Sequence, residues 1–526
     1  MMRGTRPAGP SSADEARDAV RGLASRGTTF VAALALAGCT TSIGQWVRNG
    51  FKVGPNYSPP EAPVAAEWVH LSDPGVRNTP AQDYAWWTVF NDPVLNGLID
   101  TAYRQNLDLR AAAARIMEAR ARRGIAAGNL FPQSQRAIAF YDHAQIGQNL
   151  TLPLPSTLNI WADGFNASWE LDFWGRLRRN VESADANLEA VTEGYGDSLV
   201  LLLSEVATNY IQLRTFEQRL SYARENVVIQ QKSTDLAQAR FDAGTSTELD
   251  LRQAKASLAQ TQATIPPLEA GRDVASNQLC VLLGMPVSDL AAQMTHAGIP
   301  QPPAEVAVGL PADLLRRRPD VRQAERLVAV QSAQIGIAEA DFYPRLGVSG
   351  FIGYAADDFS RLFSADSLTG FILPTLQWNI LNYGRIKNNV RAQEALLEAT
   401  CLEYQQSVLT AGREVEDGLA QFIRAKQQVM YLEQSVAQAR RAVEISQEQF
   451  QGGVADFNRV YTNQSLLVSQ QDLLGTAQGN IALYLVQIYK AMGGGWEYFC
   501  QGNGMPESVP VAGPVPEVPP AANEPE

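Results

Sequence analysis

Three histidines and four cysteines in 526 residues leave little material for catalysis or metal binding. His70, His143 and His296 lie far apart in unlike contexts, with no ligand spacing and no nucleophile motif beside them. A satisfied structural role is expected of each, and an enzyme is the least favoured class. Cys280 and Cys401 fall in helical patterns and Cys500 near the tail, and none occupies a repeat-equivalent position of another, so free thiols are expected and not a disulfide framework. No run of 18 apolar residues occurs, which excludes a helix spanning a membrane. Net positive charge is also missing: the formal charge is −12, which disfavours nucleic acid as a partner.

One short apolar run is present near the start, at 28–37, preceded by Arg17, Arg21 and Arg26. It is too short to span and reads as a signal-peptide core. Leu36-Ala37-Gly38-Cys39 closes it and resembles the bacterial lipoprotein processing box, in which the cysteine becomes the acylated first residue. A chance cysteine after small residues is the plain alternative. Removing residues 1–38 takes away five arginines and three acids, which moves the charge from −12 to −14. Acyl chains at ~0.8 kcal/mol per buried methylene would hold Cys39 on a membrane.

The second half of the chain repeats the first. Trp169, Gly175, Arg176, Tyr195, Glu205, Val206, Phe241 and Gly244 recur 209 positions later as Trp378, Gly384, Arg385, Tyr404, Glu414, Val415, Phe450 and Gly453. Upstream, Gly124, Ile125, Ala126 and Pro132 match Gly336, Ile337, Ala338 and Pro344 at a shift of 212. A unit of roughly 200 residues is too long for a solenoid repeat and predicts two similar halves in one protomer.

Each half has the same layout. Residues 53–84 are rich in Pro, Gly and Ser and predict an extended, unpacked arm. Helical periodicity runs over 92–128, with Leu95, Leu98, Ile99, Ala102, Leu107, Leu109 and Ile116 recurring at threes and fours. Two alternating segments follow around a loop holding Pro153 and Pro155; in 165–173 one face is Phe165, Ala167, Trp169, Leu171 and Phe173, the other Asn166, Ser168, Glu170 and Asp172. Its repeat partner is 372–381. A half-buried soluble strand alternates in the same way, while aromatic ends and a polar second face fit a barrel strand with lipid on one side.

After Gly175 a coiled-coil series begins at Leu177 and runs by threes and fours through Tyr195, Val206, Tyr210, Leu220 and Ala223 to Val227. The helix expected over 176–242 is ~100 Å long at 1.5 Å per residue. A second helix, 248–283, is expected to be interrupted and kinked at Pro266 and Pro267. The second half predicts a helix over 310–339, strands near 345–355 and 371–381, a long helix over 385–450 and a last helix over 457–492. Four strands cannot close, and open edges are not tolerated in lipid, so a barrel requires several copies; three copies give twelve strands.

Several ordered motifs now carry a resemblance: Val53-Gly54-Pro55-Asn56-Tyr57-Ser58-Pro59-Pro60, Trp86-Trp87-Thr88-Val89-Phe90-Asn91-Asp92-Pro93, Arg317-Arg318-Pro319-Asp320-Val321-Arg322, Ala340-Asp341-Phe342-Tyr343-Pro344-Arg345-Leu346, and Tyr489-Lys490-Ala491-Met492-Gly493-Gly494-Gly495-Trp496. As a set they resemble the outer membrane factor (TolC-like) family, in its lipid-anchored efflux branch of OprM/NodT type. The fold class this implies is mainly α with transmembrane β, an internally duplicated protomer forming a trimeric 12-stranded β-barrel continuous with a 12-helix α-barrel. The segments expected are a signal peptide at 1–38, a lipid-anchored extended arm at 39–90, a first repeat at 91–284, a linker at 285–309, a second repeat at 310–496 and a disordered Pro-rich tail at 497–526.

The resemblance further implies a homotrimer in the bacterial outer membrane that passively releases drugs and other small molecules. These would be delivered by a periplasmic adaptor (membrane fusion protein) and an inner-membrane pump of RND type. No cofactor is implied beyond the covalent lipid on Cys39, and the surrounding partner is outer-membrane lipid. The helix-turn-helix tips would contact the adaptor through Arg240, Phe241, Gly244, Phe450, Gly452 and Gly453. Gate candidates are Asp250, which matches a family gate acid, and Asn458, Arg459 and Thr462, where relatives often carry acids and this chain does not. An Asp250–Arg459 ring holding the mouth shut is one reading; plain solvent-facing helix residues are the other. The alternatives in function are a type I protein-secretion channel and a periplasmic coiled-coil scaffold lipoprotein.

Overall fold

The computed structural model describes residues 41–77, 79, 85–145, 157–290, 294 and 298–500. The signal peptide, Cys39, His296, the loop holding Pro153 and Pro155, and the tail from 501 lie outside the described residues. In chain order the helices and strands are α1 (Ile43–Arg48), β1 (Val76–Arg77), α2 (Pro93–Gln105), α3 (Leu107–Gly128), β2 (Ser134–Gln145), β3 (Thr157–Leu171), α4 (Arg176–Asp242), α5 (Glu248–Leu282), β4 (Val306–Ala307), α6 (Leu314–Arg317), α7 (Pro319–Ala340), β5 (Arg345–Ala356), β6 (Leu368–Gln377), α8 (Arg385–Gln451), α9 (Phe457–Ala491) and α10 (Trp496–Cys500). The duplication is visible in lengths alone: α4 and α8 each have 67 residues, α5 and α9 each 35, and α3 and α7 each 22.

Spatially the chain does not divide at the repeat boundary. Among the described residues, one compact unit draws on 41–58, 122–185 and 329–398, the other on 59–121, 186–328 and 399–500, so each takes segments from both repeats.

The first unit holds a four-stranded antiparallel sheet in the order β2-β3-β5-β6. Register fixes its faces, because residues directly opposite on neighbouring strands point the same way. Phe165 pairs with Ile352, Ala167 with Gly350 and then Ile372, Trp169 with Val348 and Leu171 with Leu346 and then Leu376. That face is apolar and open: Phe165, Ile352, Ile372 and Leu376 are all exposed. β2 and β6 each keep one unpaired edge. Where β3 and β6 lead into the long helices, the indoles repeat one bond: Trp169 donates to the Leu130 carbonyl at 3.1 Å and Trp378 to the equivalent Phe342 carbonyl at 2.9 Å.

The arm is packed, contrary to the extended, unpacked reading. Val53 is fully buried, and the buried Arg179 donates to its carbonyl at 3.0 Å, to Gly54 O at 2.9 Å and to Asn56 Oδ1 at 3.0 Å. Gly54 has φ +80°, and a Cβ there would fall 2.4 Å from Gly336 Cα, so two glycine backbones meet where the motif docks. Farther along, within the second unit, Val76 and Arg77 pair in parallel with Val306 and Ala307 of the linker, and Trp68 donates to Gly309 O at 2.9 Å.

Four other expectations need correction. The helix over 92–128 is two helices, because Asn106 leaves helical geometry, accepts from Leu109 N at 2.8 Å and donates to Leu282 O at 2.9 Å. The helix over 310–339 breaks at Arg318, which the following Pro319 pushes to extended ψ 115°. α5 is not interrupted: it runs on through Pro266 and Pro267, whose exposed positions let water serve the carbonyls left without a donor. β6 stops at Gln377 and not at 381, because Arg345, the first residue of β5, is its last partner.

In the second unit the core is the buried seam of α4, with Leu199, Leu203, Val206, Tyr210 and Leu213 fully or nearly fully enclosed. Tyr210 OH donates to Asp92 Oδ2 at 2.7 Å, while Asp92 Oδ1 caps α2 by accepting from Val94 N and Leu95 N. Two of the sequence motifs meet here. Arg318 bridges Asp320, Glu414 and the Ala491 carbonyl, Trp496 donates to Arg317 O at 3.1 Å, and the Arg322 guanidinium lies 5.4 Å from the Trp496 ring.

Candidate functional site

The two helix turns lie within the second unit, and each is built by the same chemistry. Gly244 (φ +68°) and Gly453 (φ +76°) take the left-handed conformation that ends α4 and α8. Thr245 N donates to Arg240 O at 2.8 Å in one turn and Val454 N to Gln449 O at 2.9 Å in the other, capping the last helical carbonyls. The next helices start differently. Thr247 and Asp250 form a reciprocal capping box: Asp250 N donates to Thr247 Oγ1 at 3.3 Å, while Asp250 Oδ2 accepts from Thr247 N at 3.1 Å and Thr247 Oγ1 at 2.9 Å. Asp456 caps α9 by accepting from Arg459 N at 3.3 Å.

Arg240 joins the two turns. Its guanidinium donates to Phe450 O, to Gln451 O at 3.1 Å and to Thr245 O at 3.2 Å, and its Cζ lies 4.9 Å from the Phe450 ring centroid. A cation from the first hairpin therefore satisfies carbonyls at the C-terminus of the second helix, where charge complements the helix dipole. Beneath it Ala237, Leu251, Ala254, Phe450, Phe457 and Val460 form a small core, with Phe450 and Phe457 edge to face at 5.4 Å.

Of the proposed adaptor contacts, Phe241, Gly244, Gly452 and Gly453 are exposed, Arg240 is half-buried and Phe450 is buried. Of the gate candidates, Asn458, Arg459 and Thr462 are exposed on α9; Thr462 Oγ1 donates to Asn458 O at 2.8 Å and Arg459 Nη1 donates to Gln449 Oε1 at 3.3 Å. Within one protomer the structure does not bring Asp250 and Arg459 together: Asp250 is held by Thr247, and Arg459 by Gln449 and Asp456.

Sequence reading missed a polar ladder behind the turns. Past Ala223 the buried seam of α4 continues through Asn226, Gln230, Ser233 and Ala237, and not through Val227. Ser233 Oγ accepts from Gln447 Nε2 at 2.9 Å and Gln464 Nε2 at 2.8 Å; Asn226 Nδ2 donates to Gln471 Oε1 at 2.6 Å; Arg219 pairs with Asp472 at 2.8 Å. The threes-and-fours spacing was the available signal; an apolar-only reading stopped where the seam turned polar. Buried amides at seam positions fix helix register at a cost in stability.

The histidines have structural partners where described: His70 Nδ1 lies 2.7 Å from Glu416 Oε2 and His143 Nδ1 2.6 Å from Asn159 Oδ1. Cys280, Cys401 and Cys500 are free thiols, Cys280 buried. Among the described residues no helix is long and apolar enough to cross a membrane and no cluster of side chains has metal-ligand geometry.

A sheet with one open apolar face and two unpaired edges, in a duplicated chain whose longest helices run 67 residues, defines an outer-membrane channel protomer and not an enzyme. Residues 98–285 and 310–494 each match the family described as outer membrane efflux protein, and the chain belongs to that family. It is 31% identical over 462 residues to nodulation protein T of Rhizobium leguminosarum bv. trifolii, covering 87% of this chain and 97% of that one. It is 32% identical over 424 residues to the pyoverdine export outer membrane protein OpmQ of Pseudomonas putida, covering 79% and 89%. Among solved structures, the outer-membrane channel OprN superposes with a TM-score of 0.81 at 31% identity, over 85% of this chain and 99% of that one.

Proposed function

We propose that this outer membrane efflux protein is the exit duct of a tripartite small-molecule efflux system, anchored by acyl chains on Cys39 and assembled as a homotrimer. The observation that carries it is the sheet: both edges are unpaired, and the face that bears Phe165, Ile352, Ile372 and Leu376 leaves these large apolar side chains exposed. Edge-to-edge pairing of β6 with β2 of the next copy closes twelve strands and satisfies the backbone in lipid. The 67-residue helices of three copies line a periplasmic tunnel, and the turns at 240–250 and 448–462 meet the adaptor, which hands over cargo from an RND-type pump. The name of the OpmQ relative, for pyoverdine export, favours small molecules over a secreted protein as cargo.

At the mouth, Asp250 of one protomer and Arg459 of the neighbouring one hold the turns together. Asp250 Oδ2 is taken by Thr247, so the pairing uses Oδ1. Purified protein is expected to migrate as a trimer until boiled and to form channels in planar bilayers, with Arg459→Ala raising open probability. Cys39→Ala protein is expected to take up no palmitate analogue. A detergent-independent soluble monomer without conductance would instead identify a periplasmic scaffold.

A further inference from the structure

The second face of the sheet carries an ordered constellation. One cross-strand row runs Arg136, Asn166, Phe351, Phe371, each residue in direct register with the next. The row on one side is Ser134, Ser168, Ser349 and Leu373; the row on the other is Ile138, Gly164, Gly353 and Thr369. Directly paired residues share a face, so a cation, four hydroxyls and two phenyl rings stand together on this side of the sheet.

The glycines shape it. A Cβ on Gly164 would come within 2.9 Å of Phe351 Cε2, and one on Gly353 within 2.8 Å of Phe351 Cζ. The Phe351 ring therefore sits over the space that Cβ atoms on the two glycines would fill, as aromatic rings do when they cover strand glycines, and it is only partly buried. Phe371 stands 6.0 Å from it, centroid to centroid, inclined at 32°. Phe140, Phe351, Phe371, Asn166, Ser168 and Ser349 line a concavity of about 480 Å³ on this face. Asn166 Oδ1 is buried without a hydrogen-bond partner. Arg136 is exposed and forms no ion pair among the described residues. The nearest carboxylate on this face, Glu170, is already paired with Arg176 at 2.8 Å.

We propose that this row is a binding subsite for planar aromatic anions. The ring stacks on Phe351 against Phe371, and the acidic group is held by Arg136 with the serine hydroxyls beside it. Rows repeat at about 4.8 Å per strand, so Arg136 and Phe351 stand roughly 10 Å apart at the backbone, which matches a two-ring molecule. A bare hydrocarbon would leave the guanidinium unused, and a cation would be repelled by it. The inference rests on the channel reading, which turns this face toward the barrel lumen and brings three copies of the row around one axis.

Single-channel recording in phosphatidylcholine bilayers tests it, with 2-naphthalenesulfonate as the probe and cyclohexanesulfonate and 2-naphthalenemethanol as controls. The expected result is block of wild-type trimers by the naphthalenesulfonate, with the half-blocking concentration raised about tenfold in Phe351→Leu and in Phe371→Leu. Arg136→Gln is expected to weaken block by the sulfonate and leave the response to the alcohol unchanged. Phe371 is on the exposed edge strand, so its variant folds even where Phe351→Leu disturbs the glycine pair. Equal block of wild type and variants, or equal block by cyclohexanesulfonate, overturns the subsite while normal conductance leaves the channel reading standing. Folded wild-type trimers with no conductance overturn the channel reading, and the subsite with it.

Discussion

Tyr195 and Tyr404 occupy matched places in the two repeats and are 5% and 4% exposed; Val206 and Val415 are both fully buried. Phe241 and Phe450 are matched in the same way, each three residues before a left-handed glycine, yet Phe241 is 38% exposed and Phe450 2%. The long helices and the helices after them are duplicated in length, but at the turns side-chain burial is not. At the turns the first hairpin gives and the second receives: Arg240 reaches across to Phe450 O and Gln451 O, and its repeat partner Gln449 instead accepts from Arg459 within its own hairpin. Duplication thus supplies equal staves, and divergence at the tips supplies a direction.

The largest test of that asymmetry is deletion of the two phenyl rings. Phe450→Ala empties a core position between Phe457, Ala237 and Arg240 and is expected to lower the local opening free energy of residues 447–460 by ~3 kcal/mol, as buried Phe truncations do. Phe241→Ala, on the surface, is expected to change its own turn by no more than ~0.5 kcal/mol. Amide hydrogen exchange across both turns measures both values. Equal effects would mean the halves are interchangeable at the tips after all.

How much of this was legible depends on which signal a residue carries. The boundaries of α4 at Arg176 and Asp242 follow from Gly175 and Gly244 and from the heptads that run as far as Val227, and they are as the sequence predicts. The breaks at Asn106 and Arg318 are legible only as capping and pre-proline chemistry, which hydrophobic periodicity overrides when read alone. The packing of Val53 needed Arg179, 126 residues away, to become visible. The polar ladder from Asn226 to Ser233 kept the coiled-coil spacing but changed chemistry, and Phe450 looked like Phe241 because burial is a property of neighbours. The adaptor-facing and gate roles are matters of several chains, and one chain's sequence supplies only their candidates.

A second, smaller test removes the link between hairpins. Arg240→Met keeps the aliphatic stem over Phe450 but leaves the carbonyls of Phe450 and Gln451 without the guanidinium, for an expected loss of ~2 kcal/mol in the second turn. The matched change, Gln449→Ala, breaks one exposed bond to Arg459 and is expected to cost ~0.5 kcal/mol. Faster exchange in 447–460 for Arg240→Met, with residues 236–247 nearly unchanged, would sharpen the one-way dependence; parallel changes in both turns would break it.

The smallest effect expected separates the halves by pH. Burial raises the Asp197 carboxyl above its ordinary range, and Asp320 beside it adds to the shift, against the pull of Arg318 and Lys490. Its repeat partner, Gln406, is exposed and donates to Thr410, four residues on. Because the folded state holds the Asp197 proton more tightly than the unfolded chain does, this group favours folding most below the unfolded carboxyl's pKa, near 3.9. That contribution is lost as pH rises through the raised folded value. Asp197→Asn removes the buried charge, so it is expected to raise Tm at pH 7 by about 1 °C and to lose that gain near pH 4. Gln406→Asp, which puts a carboxylate at the exposed partner position, is expected to shift Tm equally little at both pH values. A pH-dependent gain that appears in the second repeat and not in the first would reverse the assignment of which half buries charge.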